Sequence, residues 1–387
     1  MRCIVAVCAC TYHGRMQTTP ALAMLGGLTA SDFMRRYWQK KPFLVRQAFP
    51  GFKPLLSRKQ LFDLAASPDV ASRWVQGQGR HWQMRHGPVQ ARSRPTFAHP
   101  QWTLLVQGVD MHCQAASDFL QAFLFVPGAR LDDLMVSWAS QGGGVGPHFD
   151  SYDVFLVQAQ GQRRWRYGAQ KDLSLQPGMP LKILSSFKPR WDVVLNPGDM
   201  LYLPPRLAHE GTAVGECMTY SVGFRAPSLA ELGRDILQRM SEQAEDLLPK
   251  CLYADPHQAA VQHPACMPDG LQAFARLAVQ QLLTQPEAMN QALGEVMSEP
   301  KPHVWFEPQR LPRRARGWVL DVRSRMFYDA KHIYLNGESW RASGADARLM
   351  RALADQRSLD ARQSQSASAA AKALLRQWAK QGWCHPI

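Results

Sequence analysis

Between residues 102 and 224 the chain is a succession of short apolar runs cut by glycine and proline, and this pattern limits the possible folds more than any other feature. The runs cover residues 102–106, 135–138, 154–158, 165–167, 193–195, 200–203 and 218–224. Short strands with turn signals packed between them predict a sandwich or barrel. Phe43-Leu44-Val45 reads as one more strand. Just before it, Thr29-x-x-Asp32 resembles a capping box and Phe33, Tyr37 and Trp38 share an apolar face. A helix is therefore expected to begin at Thr29 and to be stopped by Pro42.

Within the strand-rich region one constellation carries chemistry. Gly142-Gly143-Gly144-Val145-Gly146-Pro147-His148-Phe149-Asp150 is a glycine-rich approach to an H-x-D pair. Residues two apart on a strand face the same side, so His148 and Asp150 aim an imidazole and a carboxylate into one space. Further on, Pro197-Gly198-Asp199-Met200-Leu201-Tyr202-Leu203-Pro204-Pro205 is a turn, a short strand and a second turn, which deliver His209. Two histidines and a carboxylate make the facial triad of non-haem Fe(II) oxygenases, which leaves coordination positions open.

A second feature lies beside it. In Gly161-Gln162-Arg163-Arg164-Trp165-Arg166-Tyr167, strand alternation puts Arg163, Trp165 and Tyr167 on one face and Arg164 and Arg166 on the other. An arginine on an inward face is costly unless an anion meets it, and a guanidinium suits a carboxylate bidentately. That carboxylate is either a ligand's or the protein's own.

Charge divides the rest of the chain. The 387 residues carry a net +14, with +9 over residues 301–387 and −6 over residues 229–300. Such different electrostatics suggest three modules after a short leader: residues 1–26 a disordered leader or a misassigned start, 27–228 the catalytic domain, 229–300 a helical region and 301–387 a basic C-terminal domain. Two apolar stripes mark the helical region, one through Leu232, Ile236, Met240 and Ala244, the other through Leu271, Phe274, Leu277, Ala278 and Leu282. Helices with so little sequence to pack on are expected to pair with a second subunit. In the C-terminal module residues 317–322 and 332–335 are strand-like, Asn336-Gly337 signals a tight hairpin, and residues 346–356 and 369–380 read as helices, the second stopping at Gly382. This set suits a winged helix. The net charge favours an anionic partner, nucleic acid or ribonucleoprotein first. No apolar run approaches the roughly 18 residues of a membrane-spanning helix. Eight cysteines without a C-x-x-C pair read as free thiols in a reducing, cytoplasmic compartment.

The stretches 147–150, 152–167, 197–211 and 220–227, with the opening Tyr37-Trp38-Gln39-Lys40-Lys41-Pro42, together resemble the JmjC/cupin-type ribosomal oxygenases of bacteria. The resemblance implies a mainly β fold with α: a double-stranded β-helix core, a helical dimerisation region and a winged-helix-like C-terminal domain. It also implies an enzyme that uses Fe(II), 2-oxoglutarate and O2 to hydroxylate an arginine side chain of a large-subunit ribosomal protein, free or on a ribosomal precursor with its RNA. His148, Asp150 and His209 match the family's iron ligands. Arg163 matches the residue that holds the distal carboxylate of 2-oxoglutarate, and Ser137 and Ser221 lie where the family lines that pocket. Tyr152 and Asp153 are candidates for the target side chain, although Asp153, opposite in parity to Asp150, would need a bulge to reach the pocket. Two other classes fit part of the pattern: a metal cupin acting on a small molecule, and a nucleic-acid-binding regulator built on a cupin, in which Arg313-Arg314-Ala315-Arg316 would serve the nucleic acid rather than form a solvated face.

Overall fold

The computed structural model describes residues 21–79, 81–308, 311–312 and 315–387. The cysteines of the leader and Arg313 and Arg314 lie outside the described residues. Two compact units emerge: one of residues up to 61, 72–105 and 136–222, the other of residues 62–71, 106–135 and 223–387.

The chain enters the first unit upstream of residue 27. Ala23–Leu25 form a 3-10 turn inside the stretch read as leader, with Leu25 fully buried. Helix α1 (Ala30–Arg36) then starts where the capping signal put it, with the Asp32 N–H donating to Thr29 Oγ1 at 3.0 Å. Pro42 is not what ends it. The helix stops six residues earlier, in a tight turn where Lys40 N–H bonds Tyr37 O and Gln39 adopts a φ of 55°. In that left-handed conformation Gln39 donates its N–H to Tyr202 Oη and its side-chain Nε2 to Asp153 Oδ2. Both bonds tie the turn to the sheet, and Phe33 and Trp38 pack on Tyr202 and Phe155 beside it.

The sheet has nine strands: β1 (Phe43–Val45), then after helix α2 (Arg58–Ala65) β2 (Ser72–Gln78), β3 (His81–His86) and β4 (Trp102–Val106), then after helix α3 (Gln114–Leu120) β5 (Leu131–Ala139), β6 (Asp153–Gly168), β7 (Trp191–Leu195), β8 (Met200–Leu203) and β9 (Ala208–Phe224). Its order is β1-β8-β6-β9-β5-β4-β2-β3, with β7 also on β6. The two apolar runs at 154–158 and 165–167 are one strand. Gly161 bends it with a φ of 63°, where a Cβ would sit 2.1 Å from Glu216 O. The first half of β6 pairs antiparallel with β8 and the second half with β7. One long strand thus joins β8 and β7 along its length, with the bend at Gly161 between the two pairings. The β2–β3 hairpin has no counterpart in the sequence reading, because β3 is an edge strand whose residues are mostly exposed and polar.

In the second unit, α4 (Leu229–Glu242) is capped by a Ser228–Glu231 box and followed by the short α5 (Ala244–Leu247), α6 (Asp269–Leu283) and α7 (Pro286–Ser298). Met240 is buried against Ala288 and Ala292 of α7, with Ile236 partly buried beside them. Helix α6 buries none of its residues. The C-terminal part holds β10 (Trp318–Leu320), β11 (Met326–Tyr328), β12 (His332–Leu335), β13 (Glu338–Arg341), helix α8 (Gly344–Gln356), β14 (Ser358–Leu359), helices α9 (Ala361–Ser366) and α10 (Ala369–Lys380), and β15 (Cys384–Pro386). They form two three-stranded sheets, β14-β10-β15 and β11-β12-β13. Their core includes Leu335, Leu353, Leu375 and Trp378. The hairpin between β12 and β13 turns at Asn336 and Gly337, both with positive φ, as a type I′ turn requires. Helix α10 ends at Gly382 (φ 78°), whose N–H caps Ala379 O.

Candidate active site

His148 precedes β6 and His209 lies on β9, and the two segments are stitched by reciprocal backbone hydrogen bonds of 2.9 and 2.8 Å. The glycine run makes that approach possible. A Cβ at Gly144 would fall 2.5 Å from Gly211 O, one at Gly143 2.3 Å from Trp102 O, and one at Gly146 2.7 Å from Ile183 Cδ1. The backbone can pass only because these side chains are missing.

The result brings the predicted trio together. One ligand atom each from His148, Asp150 and His209 lies within 4.8 Å of the other two, and His209 Nε2 is 3.6 Å from Asp150 Oδ2. Each imidazole has its Nδ1 held 2.9 Å from a backbone carbonyl, Gly146 O for His148 and Leu207 O for His209. A carbonyl can only accept, so both Nδ1 atoms carry the proton and both Nε2 lone pairs are free for a metal. Burial, then the neighbouring His148, lowers the His209 pKa to about 4, so its imidazole is neutral at physiological pH. The donor set fits a divalent first-row ion: two imidazoles and one carboxylate.

Arg163 lies on the inward face of β6, 4% exposed. Its Nη2 donates to Gly211 O at 3.1 Å and its Nη1 reaches Ser137 Oγ at 3.5 Å, while its buried Nε has no acceptor. Among the described residues no carboxylate pairs with it. Acids on the neighbouring strands β7 and β9 serve the outward arginines instead: Asp192 takes Arg164 and Glu210 takes Arg166. Burial lowers the Arg163 pKa, the signature of a charge that lacks its counter-ion. Trp165, next inward on the strand, is buried with its ring 6.0 Å from that of His209, and its indole N–H is also without an acceptor. Two buried donors beside a metal-ligand cluster fit a carboxylate-bearing co-substrate.

The remaining candidates fall out differently. Ser137 is buried and donates to Thr219 O at 3.3 Å, within reach of Arg163. Ser221 is buried on β9. Tyr152 is exposed, just outside β6. Asp153 is fully buried on the opposite face, accepting from Tyr202 Oη at 2.6 Å and from Gln39 Nε2. Parity wins and no bulge turns it inward, so it braces the fold and does not line the pocket. Gly211 has a role that the sequence reading missed, since a Cβ there would lie 2.6 Å from Arg163 Nε and 2.8 Å from the Trp165 ring.

Comparison with known proteins agrees with this geometry. Residues 118–232 match the JmjC domain model and residues 281–385 the ROXA-like winged helix. Over 324 residues the chain is 36% identical to the ribosomal protein uL16 3-hydroxylase of Escherichia coli (strain K12), covering 79% of this chain and 84% of that protein. The chain belongs to the bacterial JmjC-type ribosomal oxygenases. A probable ribosomal oxygenase of Haemophilus influenzae is 36% identical over 224 residues, 57% of this chain and 55% of its own length. The X-ray structure of E. coli YcfD superposes with a TM-score of 0.79 at 32% identity, covering 92% of this oxygenase and 98% of that chain. A structure of YcfD with cobalt and 2-oxoglutarate superposes at 0.76 and 31% identity, with the same coverage. The fold class is therefore the expected one, a JmjC/cupin core followed by a winged helix.

Proposed function

We propose that this oxygenase hydroxylates an arginine side chain of a large-subunit ribosomal protein, with Fe(II) held by His148, Asp150 and His209 and with 2-oxoglutarate and O2 as co-substrates. The observation that carries the reading is the buried, carboxylate-free Arg163 beside that trio. A small-molecule metal cupin would need the three metal ligands but not this arginine. When bound, the iron and 2-oxoglutarate supply oxygen activation for an unactivated C–H bond. The chain's own residues do the rest. Nδ1 bonds fix both imidazoles, Arg163 and Trp165 present donors to the distal carboxylate, and Ser137 and Ser221 line the same pocket. Tyr152 is proposed at the mouth, where an exposed aromatic face suits a guanidinium.

The same reading assigns residues 27–228 to the oxygenase domain, 229–300 to homodimer formation and 301–387 to a basic winged helix that draws the enzyme to ribosomal RNA or a ribosomal precursor in the cytoplasm. The test compares succinate formation and target mass with and without a ribosomal protein fragment, for wild type, His148→Ala and Asp150→Ala. Wild type should add one oxygen atom to the fragment, and the variants should add none while keeping the wild-type circular dichroism spectrum. Full activity in both variants would remove the metal assignment. An unchanged fragment with active co-substrate turnover would remove the substrate assignment.

A further inference from the structure

The second unit contains a cleft of about 580 Å³ that shares no residue with the His148–Asp150–His209 site. It is bounded by α3 and the turns after it, by the approach to β5, and by β11 with the end of α8. Leu120, Leu124, Met326 and Phe327 give it apolar surface, and its charged groups are Asp110, Asp132, Lys301, Arg323, Arg325, Asp355 and Arg357.

Most of these charges are matched. Lys301 Nζ lies 2.9 Å from Asp132 and 3.6 Å from Asp133. Arg323 grips Asp321 through Nε and Nη2 and gives Nη1 to Trp305 O. Asp355 accepts from Tyr328 Oη, and Asp110 accepts from the Leu134 N–H at 2.8 Å. Two arginines are left. Arg357 donates only to the backbone carbonyls of Asp321 and Ser324. Arg325 donates from its guanidinium to none of the described residues, and its Nε and Nη2 are buried without acceptors. Arg225 and Arg357 add their fields to it, against those of Asp132 and Asp110. A largely buried guanidinium without an acceptor persists at a cost that an arriving anion would relieve.

We propose that this cleft binds a small organic anion, a carboxylate or phosphate carried on an apolar body, with Arg325 meeting the charge and Leu120, Leu124 and Phe327 packing the body. The volume falls in the range of small-molecule sites, roughly 300–1,000 Å³, and so does the mixture of apolar walls with one convergent charge. The inference is independent of the oxygenase's substrate.

The experiment is calorimetry on the full chain loaded with Mn(II) and saturating 2-oxoglutarate, so that the other carboxylate site is filled. The probes are phenyl phosphate, phenylacetate and inorganic phosphate. At least one aryl anion should bind one per chain, and which one binds more tightly tells phosphate from carboxylate. Inorganic phosphate should bind at least about tenfold more weakly than the better aryl probe, since it lacks the apolar body. Arg325→Met should weaken the better probe by at least about tenfold without lowering the melting temperature, because the change removes an unmatched charge. Leu124→Glu, at a partly exposed position, should repel the anion and act similarly. Both variants should keep the wild-type affinity for 2-oxoglutarate. No binding of either aryl anion up to about 10 mM would overturn the proposal. So would undiminished binding by Arg325→Met, or by Leu124→Glu should the first variant fail to fold.

Discussion

Arg163 and Gly211 are mutually dependent: the guanidinium Nη2 donates to the Gly211 carbonyl at 3.1 Å, and only the lack of a side chain at 211 leaves room for Nε, 2.6 Å from where a Cβ would stand. Gly211→Ala should therefore displace Arg163 and the Trp165 ring together while leaving the metal ligands in place. The expected outcome is a rise in the KM for 2-oxoglutarate of about tenfold or more, roughly 1.4 kcal/mol, with Mn(II) affinity little changed. A KM within error of wild type would mean that the pocket tolerates the methyl group and that Gly211 is there for another reason.

Arg163→Met tests the charge itself. The side chain is buried and has no protein carboxylate, so a co-substrate carboxylate that loses it is left buried and unpaired, at a cost of roughly 3–5 kcal/mol. Steady-state succinate formation against 2-oxoglutarate concentration measures this. A change in KM under about threefold, ~0.7 kcal/mol, would make Arg163 structural. Arg164→Met is the control, because Arg164 is spent outward on Asp192 and should leave the KM unchanged.

How far the sequence carries can be judged from particular residues. Alternation grouped Arg163 with Trp165 and set Asp153 opposite Asp150, and in the folded chain Arg163 is buried beside Trp165 while Asp153 bonds Tyr202 and Gln39. The bracketing Pro-Gly and Pro-Pro turns marked β8 to the residue. Parity could not tell whether Arg163 had a protein carboxylate, because that depends on which acids the outward arginines take. Gly161 read as a break between two strands, whereas a left-handed glycine can bend one strand without ending it. Gly211 sat inside a recognised motif, yet its reason lies 48 residues away, in a contact that no local pattern encodes. Helix α7 was missed because the face it packs inward is small, Ala288 and Ala292, which leaves no strong apolar stripe.

Asp199 makes the acid stability of the first unit predictable. Burial pulls its pKa up, but N–H bonds from Asn196 and Gln47 and the Arg46 guanidinium at 2.6 Å outweigh it, and the net shift is below the usual 3.8. The folded state thus holds the proton less tightly than the unfolded state. The stabilisation is complete above the ordinary aspartate range and is lost as pH falls through the lower folded value. Asp199→Asn should be less stable than wild type at neutral pH, and the gap should close below about pH 4. Urea midpoints across pH check it, and a gap that stays constant would assign the loss to geometry rather than charge.

Assembly through the helical region is tested at α6 rather than α4. Ile236 was the natural choice from the apolar stripe of α4, but it packs inside its own chain against Met240, Ala288 and Ala292. An arginine there should destabilise the chain rather than separate two chains. Helix α6 is different. None of its residues is fully buried and only Leu282 packs on the Met240 cluster, while Leu271 and Leu277 are 37% and 49% exposed and Val279 and Leu283, further round the helix, 57% and 41%. So much apolar surface on one helix marks it for interaction, and in a homodimer the stripe through Leu271 and Leu277 would be covered by the same stripe of a second copy across a two-fold axis. Leu277→Arg should place an unpaired charge on both sides of that contact at once and give a monomer of unchanged circular dichroism and nearly unchanged melting temperature at low protein concentration. Light scattering reads the mass directly. A wild-type monomer at micromolar concentration would remove the dimer, and a Leu277→Arg variant that stays dimeric would move the interface off α6.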